Sequence, residues 1–226
     1  MGDMTFSEFT DSLTLNLGQR EDISSYVDAW INVAYLDLCT KNKFWSLSVP
    51  KKFLFYELQA TDETDTVDGT AYIATPSDCL SIYAVWDNDN DVKLHRINLR
   101  QYVSYTGRAD TDSEGSPGKY VRSGANIYLY PTPDDAYTLT TYYKKRPAEL
   151  TGTDTTVIGA EWDEVILDLA TIQSMKKLRM YEDYKIWKAE WLETVGSKMG
   201  MYESEQDDTR NILKPDVAYI GYGRKT

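Results

Sequence analysis

The sequence predicts an α+β fold: an antiparallel helix bundle of two N-terminal and two C-terminal helices, an inserted small antiparallel β module, and an extended C-terminal tail. Three observations predict it. Apolar residues recur at three- and four-residue spacing before residue 48 and again after residue 159. Between them lie short apolar runs broken by Asp68-Gly69, Pro76-Ser77-Asp78 and Pro131-Thr132-Pro133. The final stretch shows neither pattern. The boundaries follow: 1–48 for the first helices, 49–158 for the β-rich insertion, 159–209 for the last helices and 210–226 for the tail.

Each element has a local cause. Thr5-x-x-Glu8 is a capping-box pattern, followed by Phe9, Leu13 and Leu17 on one face and Gly18 as the stop. From Asp22 to Lys41 the positions Ile23, Val27, Trp30, Ile31, Ala34 and Leu38 form a second stripe, flanked by Tyr26 and Tyr35. A short connection between these two helices predicts an antiparallel pair. Phe53–Leu58 is a β-prone run, and strands are predicted at Tyr72–Ile73, Leu80–Trp86, Lys93–Ile97, Lys119–Arg122, Ala125–Tyr130 and Tyr137–Lys145, making one small antiparallel module of about five or six strands. Asn98-x-x-Gln101 opens a short helix to Tyr105, and 107–118 reads as an exposed loop. Helix returns at Glu161 with Val165, Leu169, Ile172, Met175 and Leu178. After a break at Tyr181-Glu182-Asp183, Tyr184, Trp187, Trp191, Val195 and Met199 continue it. The tail from Pro215 carries large apolar residues and has nothing of its own to bury them against.

Composition narrows the function. The chain has 226 residues, 42% of them hydrophobic and 27% charged, which is globular. No apolar run approaches the length of a membrane span, and Met1-Gly2-Asp3-Met4 lacks the basic and apolar regions of a signal peptide, so the chain is expected to stay in the cytoplasm where it is made. Cys39 and Cys79 have no metal-site spacing and read as buried thiols. The net charge of -12, with no Lys/Arg cluster along the chain, argues against sequence-specific DNA reading. Eighteen tyrosines suit surfaces that become interfaces.

The motifs of chemistry are sparse. His95 is the single histidine and sits in an alternating polar run, so no His-rich metal site can form. Asp87-Asn88-Asp89-Asn90-Asp91 resembles the start of a calcium loop. Val92 and Asn98 stand where glycine and a bidentate glutamate are needed, and a hairpin turn explains the run better. No phosphate-binding glycine loop or nucleophile elbow is present. Glu161, Asp163 and Glu164 could be read as a glycosidase carboxylate set, although in a first helical turn they answer the helix dipole. Trp86, Tyr128 and Tyr130 are the aromatics a glycan-binding β surface would use. No catalytic residue, metal or cofactor is assigned.

The order of the pieces resembles the head-to-tail adaptor (connector) proteins of tailed bacteriophages, the group that includes tail tubular protein A and the gatekeeper-type adaptors of podoviruses. Tyr26 to Ala34, continuing to Phe44-Trp45-Ser46-Leu47, is similar to the family's "WIN-x-A … W" helix. Thr66 to Tyr72 with Thr75-Pro76-Ser77-Asp78 resembles its "G-T-x-x-Y-x-x-P-x-D" segment. Ile127 to Asp134, then Leu139 to Tyr143, Lys145-Arg146-Pro147 and Leu150, resembles "I-Y-L-Y-P-x-P … Y-Y-x-x-R-P-x-x-L". The resemblance spans residues 5 to 215 and implies a structural protein of the virion neck, not an enzyme. It implies a ring of twelve copies below the portal protein that extends the DNA channel and offers a platform to the next neck or tail protein. DNA would pass through without specific binding. The helices would line the channel, and the tail residues Pro215, Val217, Tyr219, Ile220 and Tyr222 would reach the portal. Two other readings stand beside it: a peptidoglycan-lytic glycosidase and a carbohydrate-binding β module.

Overall fold

The computed structural model of the chain describes residues 3–40, 55–107 and 113–212, with side chains described through residue 198. In chain order the elements are α1 (Phe6–Asn16), α2 (Ser24–Thr40), β1 (Gln59–Asp65), β2 (Tyr72–Ala74), β3 (Cys79–Asp87), β4 (Val92–Lys93), β5 (His95–Arg96), α3 (Leu99–Thr106), β6 (Lys119–Ser123), β7 (Asn126–Tyr130), β8 (Thr138–Lys145), α4 (Asp163–Lys177) and α5 (Tyr181–Ile212). The fold is mixed α+β. The chain divides into two compact units, one made of 1–53, 151–154 and 160–226, the other of 54–150 and 155–159.

The first unit is helical. The Thr5 side chain accepts from the Glu8 amide while the Glu8 carboxylate accepts from the Thr5 amide at 2.7 Å, closing the predicted capping box. A 3-10 turn over Glu21–Ile23 leads into α2, two residues later than the predicted start at Asp22. Helix α2 packs against α4, α4 against α5, and α1 touches both α2 and α4. The residues between them are the predicted stripes: Phe9, Leu13, Val27, Ile31, Ala34, Leu38, Val165, Leu169, Ile172, Met175, Trp191 and Val195 are all buried. Polar ties fix the layers. The Trp191 indole N–H donates to the Val165 carbonyl at 3.0 Å, and the Met4 amide donates to Asp163 at 2.8 Å.

The break between α4 and α5 differs from the prediction. It lies at Leu178–Met180, where Arg179 takes the left-handed conformation (φ 61°). Tyr181-Glu182-Asp183 instead forms the first turn of α5, where two carboxylates face the positive end of the helix dipole. Met199, the last residue of the predicted stripe, lies beyond the described side chains.

The second unit is a pair of four-stranded sheets, ordered β1-β8-β3-β4 and β2-β7-β6-β5, where the sequence suggested a single module. All pairings are antiparallel except β5 with β6, which run parallel. Ile82, Val85, Leu139 and Tyr143 from the first sheet meet Ile73, Tyr120, Ile127 and Leu129 from the second in one core. Strand β1 was not predicted. The β-prone run at Phe53–Leu58 is, where described, a 3-10 turn over Tyr56–Leu58, and the polar Gln59–Asp65 pairs instead with β8. Backbone pairing, rather than side-chain character, makes β1 a strand, and such charged residues suit a sheet edge.

One side chain joins the sheets. The β3–β8 register slips between Cys79 and Ser81, which frees carbonyls from the ladder. Arg122 of β6 reaches across and donates to the Cys79 and Leu80 carbonyls, each at 2.9 Å. It supplies donors to carbonyls that the ladder leaves free.

Candidate assembly surfaces

Each residue singled out for chemistry has a structural place. The buried Asp87 carboxylate accepts from the amides of Asp89 (3.0 Å) and Asn90 (3.1 Å), from Asn90 Nδ2 (2.8 Å) and from the Ser116 hydroxyl (3.2 Å). Asp89 accepts from the Thr138 amide at 2.7 Å. The Asp-rich run therefore turns the chain with the Asp87 and Asp89 carboxylates engaged by donors of the turn and of Ser116 and Thr138. Among the described residues no group of three or more His, Cys, Asp or Glu is placed to hold a metal. His95 lies exposed on β5, an edge strand. Burial pushes the Cys79 thiol up, away from the thiolate needed for nucleophilic chemistry. Among the described residues no helix is long and apolar enough to cross a membrane.

The carboxylates at the start of α4 are dispersed. Asp163 is buried and anchors the Met4 amide. Glu164 is exposed and lies 3.6 Å from Lys198, whose ammonium also donates to the Glu161 carbonyl. One turn on, partial burial together with Glu164 and Glu190 pushes Asp168 up to about 6, against the opposing pull of Lys198. No local spacing marks this group, because its charged neighbours come from two helices.

The aromatic residues separate onto two faces. Trp86 pairs with Thr140 and points away from the core on the first sheet, since Val85 and Leu139 point into it. Tyr128 and Tyr130 point outward from the second sheet, because Ile127 and Leu129 fill the same core. The three aromatics therefore form no common glycan platform.

The outer face of the second sheet carries a built surface instead. Asn98 and Gln101 close a reciprocal cap at 2.8 and 3.0 Å, starting α3 where predicted. Tyr102 and Tyr105 of α3 then lie on the sheet: Tyr102 contacts Tyr128 (centroids 5.6 Å apart) and Tyr105 stacks on Tyr130 (5.1 Å). Tyr72 extends the row at 5.8 Å from Tyr128. The Lys119 ammonium sits 4.5 Å from the Tyr105 centroid and 5.2 Å from that of Tyr130, a cation–π arrangement.

This surface changes the picture of charge. Strands β2, β5, β6, β7 and helix α3 contain no aspartate or glutamate; of their basic residues Arg100, Lys119 and His95 belong to this outer surface, whereas Arg122 and Arg96 lie on the side of the core residue Tyr120. Along the chain these residues are scattered; folding gathers them. Trp45 and the tail residues Pro215, Val217, Tyr219, Ile220 and Tyr222 lie outside the described residues, as does 108–112 of the predicted loop.

Among proteins of curated function none matches the chain. A family model does: that of the SU10 adaptor protein matches residues 4–215, which takes in both compact units. Over that span, covering the capped N-terminal helices, the two sheets and the long last helix, the chain belongs to the SU10 adaptor protein family.

Proposed function

We propose that this protein is the head-to-tail adaptor of a tailed-phage virion neck: a ring, of twelve copies, docked below the portal protein. It extends the DNA channel and gives the next neck or tail protein its platform. The observation that carries this reading is the family match over residues 4–215, nearly the whole chain. A structural phage adaptor role follows from the family itself; ring position, copy number and partners are our extension of it.

Physical features support the extension. A net charge of -12 repeated around a ring repels DNA phosphates, so DNA slides through without specific binding. In this reading α1, α2, α4 and α5 form an antiparallel bundle that lines the channel. Residues 210–226 act as a segment ordered on the portal, with Pro215, Val217, Tyr219, Ile220 and Tyr222 as its contacts. A peptide of that composition gains its buried apolar area only on a partner.

The test is to mix the purified protein with its cognate portal and image the product by electron microscopy. Stacked rings of twelvefold symmetry are expected. Deleting the chain from Lys214 should abolish docking and leave the melting temperature unchanged. A protein that never joins the portal removes the reading, and docking that survives the deletion removes the tail's role in it.

A further inference from the structure

The elements that build the outer face of the second sheet carry Arg100 and Lys119 and no carboxylate, and the chain itself supplies a surface of opposite charge. Between Asp3 and Thr40 there are seven carboxylates and a single arginine. Helix α2 has a second peculiarity. Its 17 residues contain two charged side chains, Asp28 and Asp37, which accept from Thr10 (3.1 Å) and Gln173 (3.2 Å) on its flanks. Tyr26, Ala29 and Val33 fall on its outward side at helical spacing and form an uncharged stripe, with Tyr26 57% and Val33 42% exposed. An exposed uncharged stripe of this kind is a surface that assembly can bury.

Helix α3 mirrors this. With Tyr102 and Tyr105 turned to the sheet, Leu99, Arg100 and Val103 form the opposite ridge. Leu99 is 50% and Val103 57% exposed, and the Arg100 guanidinium has no ion pair among the described residues. We infer that the α3 ridge and the basic second-sheet face of one copy receive the α2 stripe and acidic N-terminal helices of a second copy, head to tail. The two patches differ, so the contact is heterologous and can propagate around a closed ring. Apolar residues supply the contact area, while the opposed charges set its orientation and select against a symmetric pairing of like patches. The inference rests on the ring reading above and assigns its subunit contact.

Two full-length single variants test it, Val103→Cys and Val33→Cys, mixed on the cognate portal and oxidised. Both native cysteines are buried, so the new thiols dominate the reaction. The expected product is a 103–33 disulfide that forms when the variants are mixed. It should fall about tenfold when Arg100→Glu is added to the first variant, and fall as salt screens the opposed charges. Rings that assemble without the 103–33 product, or that give chiefly 103–103 and 33–33 products, overturn the inference and leave the ring reading standing. Absence of any ring overturns both. Binding of a fluorescent single-stranded oligonucleotide that Arg100→Glu abolishes, without the 103–33 product, makes the face a nucleic-acid surface and likewise overturns the subunit contact.

Discussion

Asp168 is held part-buried between α4 and α5 beside Glu164 and Glu190, and its position has a sign that can be worked out. Its folded pKa of about 6 lies above the ordinary aspartate value of 3.8, so the folded state favours the protonated form. That contribution is fully present below pH 4 and is lost as pH rises through 6. Asp168→Asn should therefore stabilise the protein at pH 7, by about 1 to 2 kcal/mol after allowing for solvent screening. The gain should shrink toward zero near pH 4, and melting curves of both proteins across that range check it. Arg122 works in the opposite direction. Truncation to alanine leaves the Cys79 and Leu80 carbonyls without their donors, at an expected cost of about 2 to 3 kcal/mol in chemical denaturation. Arg122→Lys should recover only part of this, because an ammonium lacks the planar fork that spans two carbonyls.

Elements depend on such residues to different degrees. Helix α3 has eight residues and buries none of them fully, so propensity alone does not hold it. Its stability comes from the Asn98–Gln101 cap and the tyrosine stacks on β7. Asn98→Ala should cost about 1 kcal/mol locally. The change should appear as faster hydrogen exchange at Tyr102 and Val103 with little change in global melting; unchanged exchange there would mean the stacking suffices. The α4–α5 pair depends on Trp191, which is fully buried and hydrogen-bonded to Val165. Trp191→Ala should cost about 3 to 5 kcal/mol, the range for losing a large core aromatic.

At the scale of the molecule, the two compact units have separate cores, one between helices and one between sheets. Calorimetry is expected to resolve two transitions. Asp168→Asn should move one of them and Arg122→Ala the other. A single transition shifted by both variants would show that the units unfold as one cooperative body. The charge distribution also belongs to this scale. A chain of net charge -12 still has five elements without a single carboxylate, β2, β5, β6, β7 and α3, all drawn from residues 72–130.

Local chemistry written in sequence was legible. The capping boxes at Thr5 and Asn98, the stripes of α2 and α4, the turn at Asp87 and the ordered motifs of the adaptor family could be read residue by residue. Each rests on interactions spanning a few positions, or on the order of motifs along the chain. What the sequence hid rests on distant partners. Strand β1 is polar and is a strand because β8 lies beside it. The split into two sheets and the parallel β5–β6 pair follow from tertiary pairing. The helix break falls at Arg179 because the backbone turns there into the left-handed region, without a glycine to announce it. Asp168 is perturbed by charges from two helices, and the tyrosine row and the five acid-free elements come together only in the fold. The sequence by itself determined most of the elements, the family and the apolar stripes. Only the tertiary structure decided which charges share a surface, because a surface is assembled from residues that no local spacing relates.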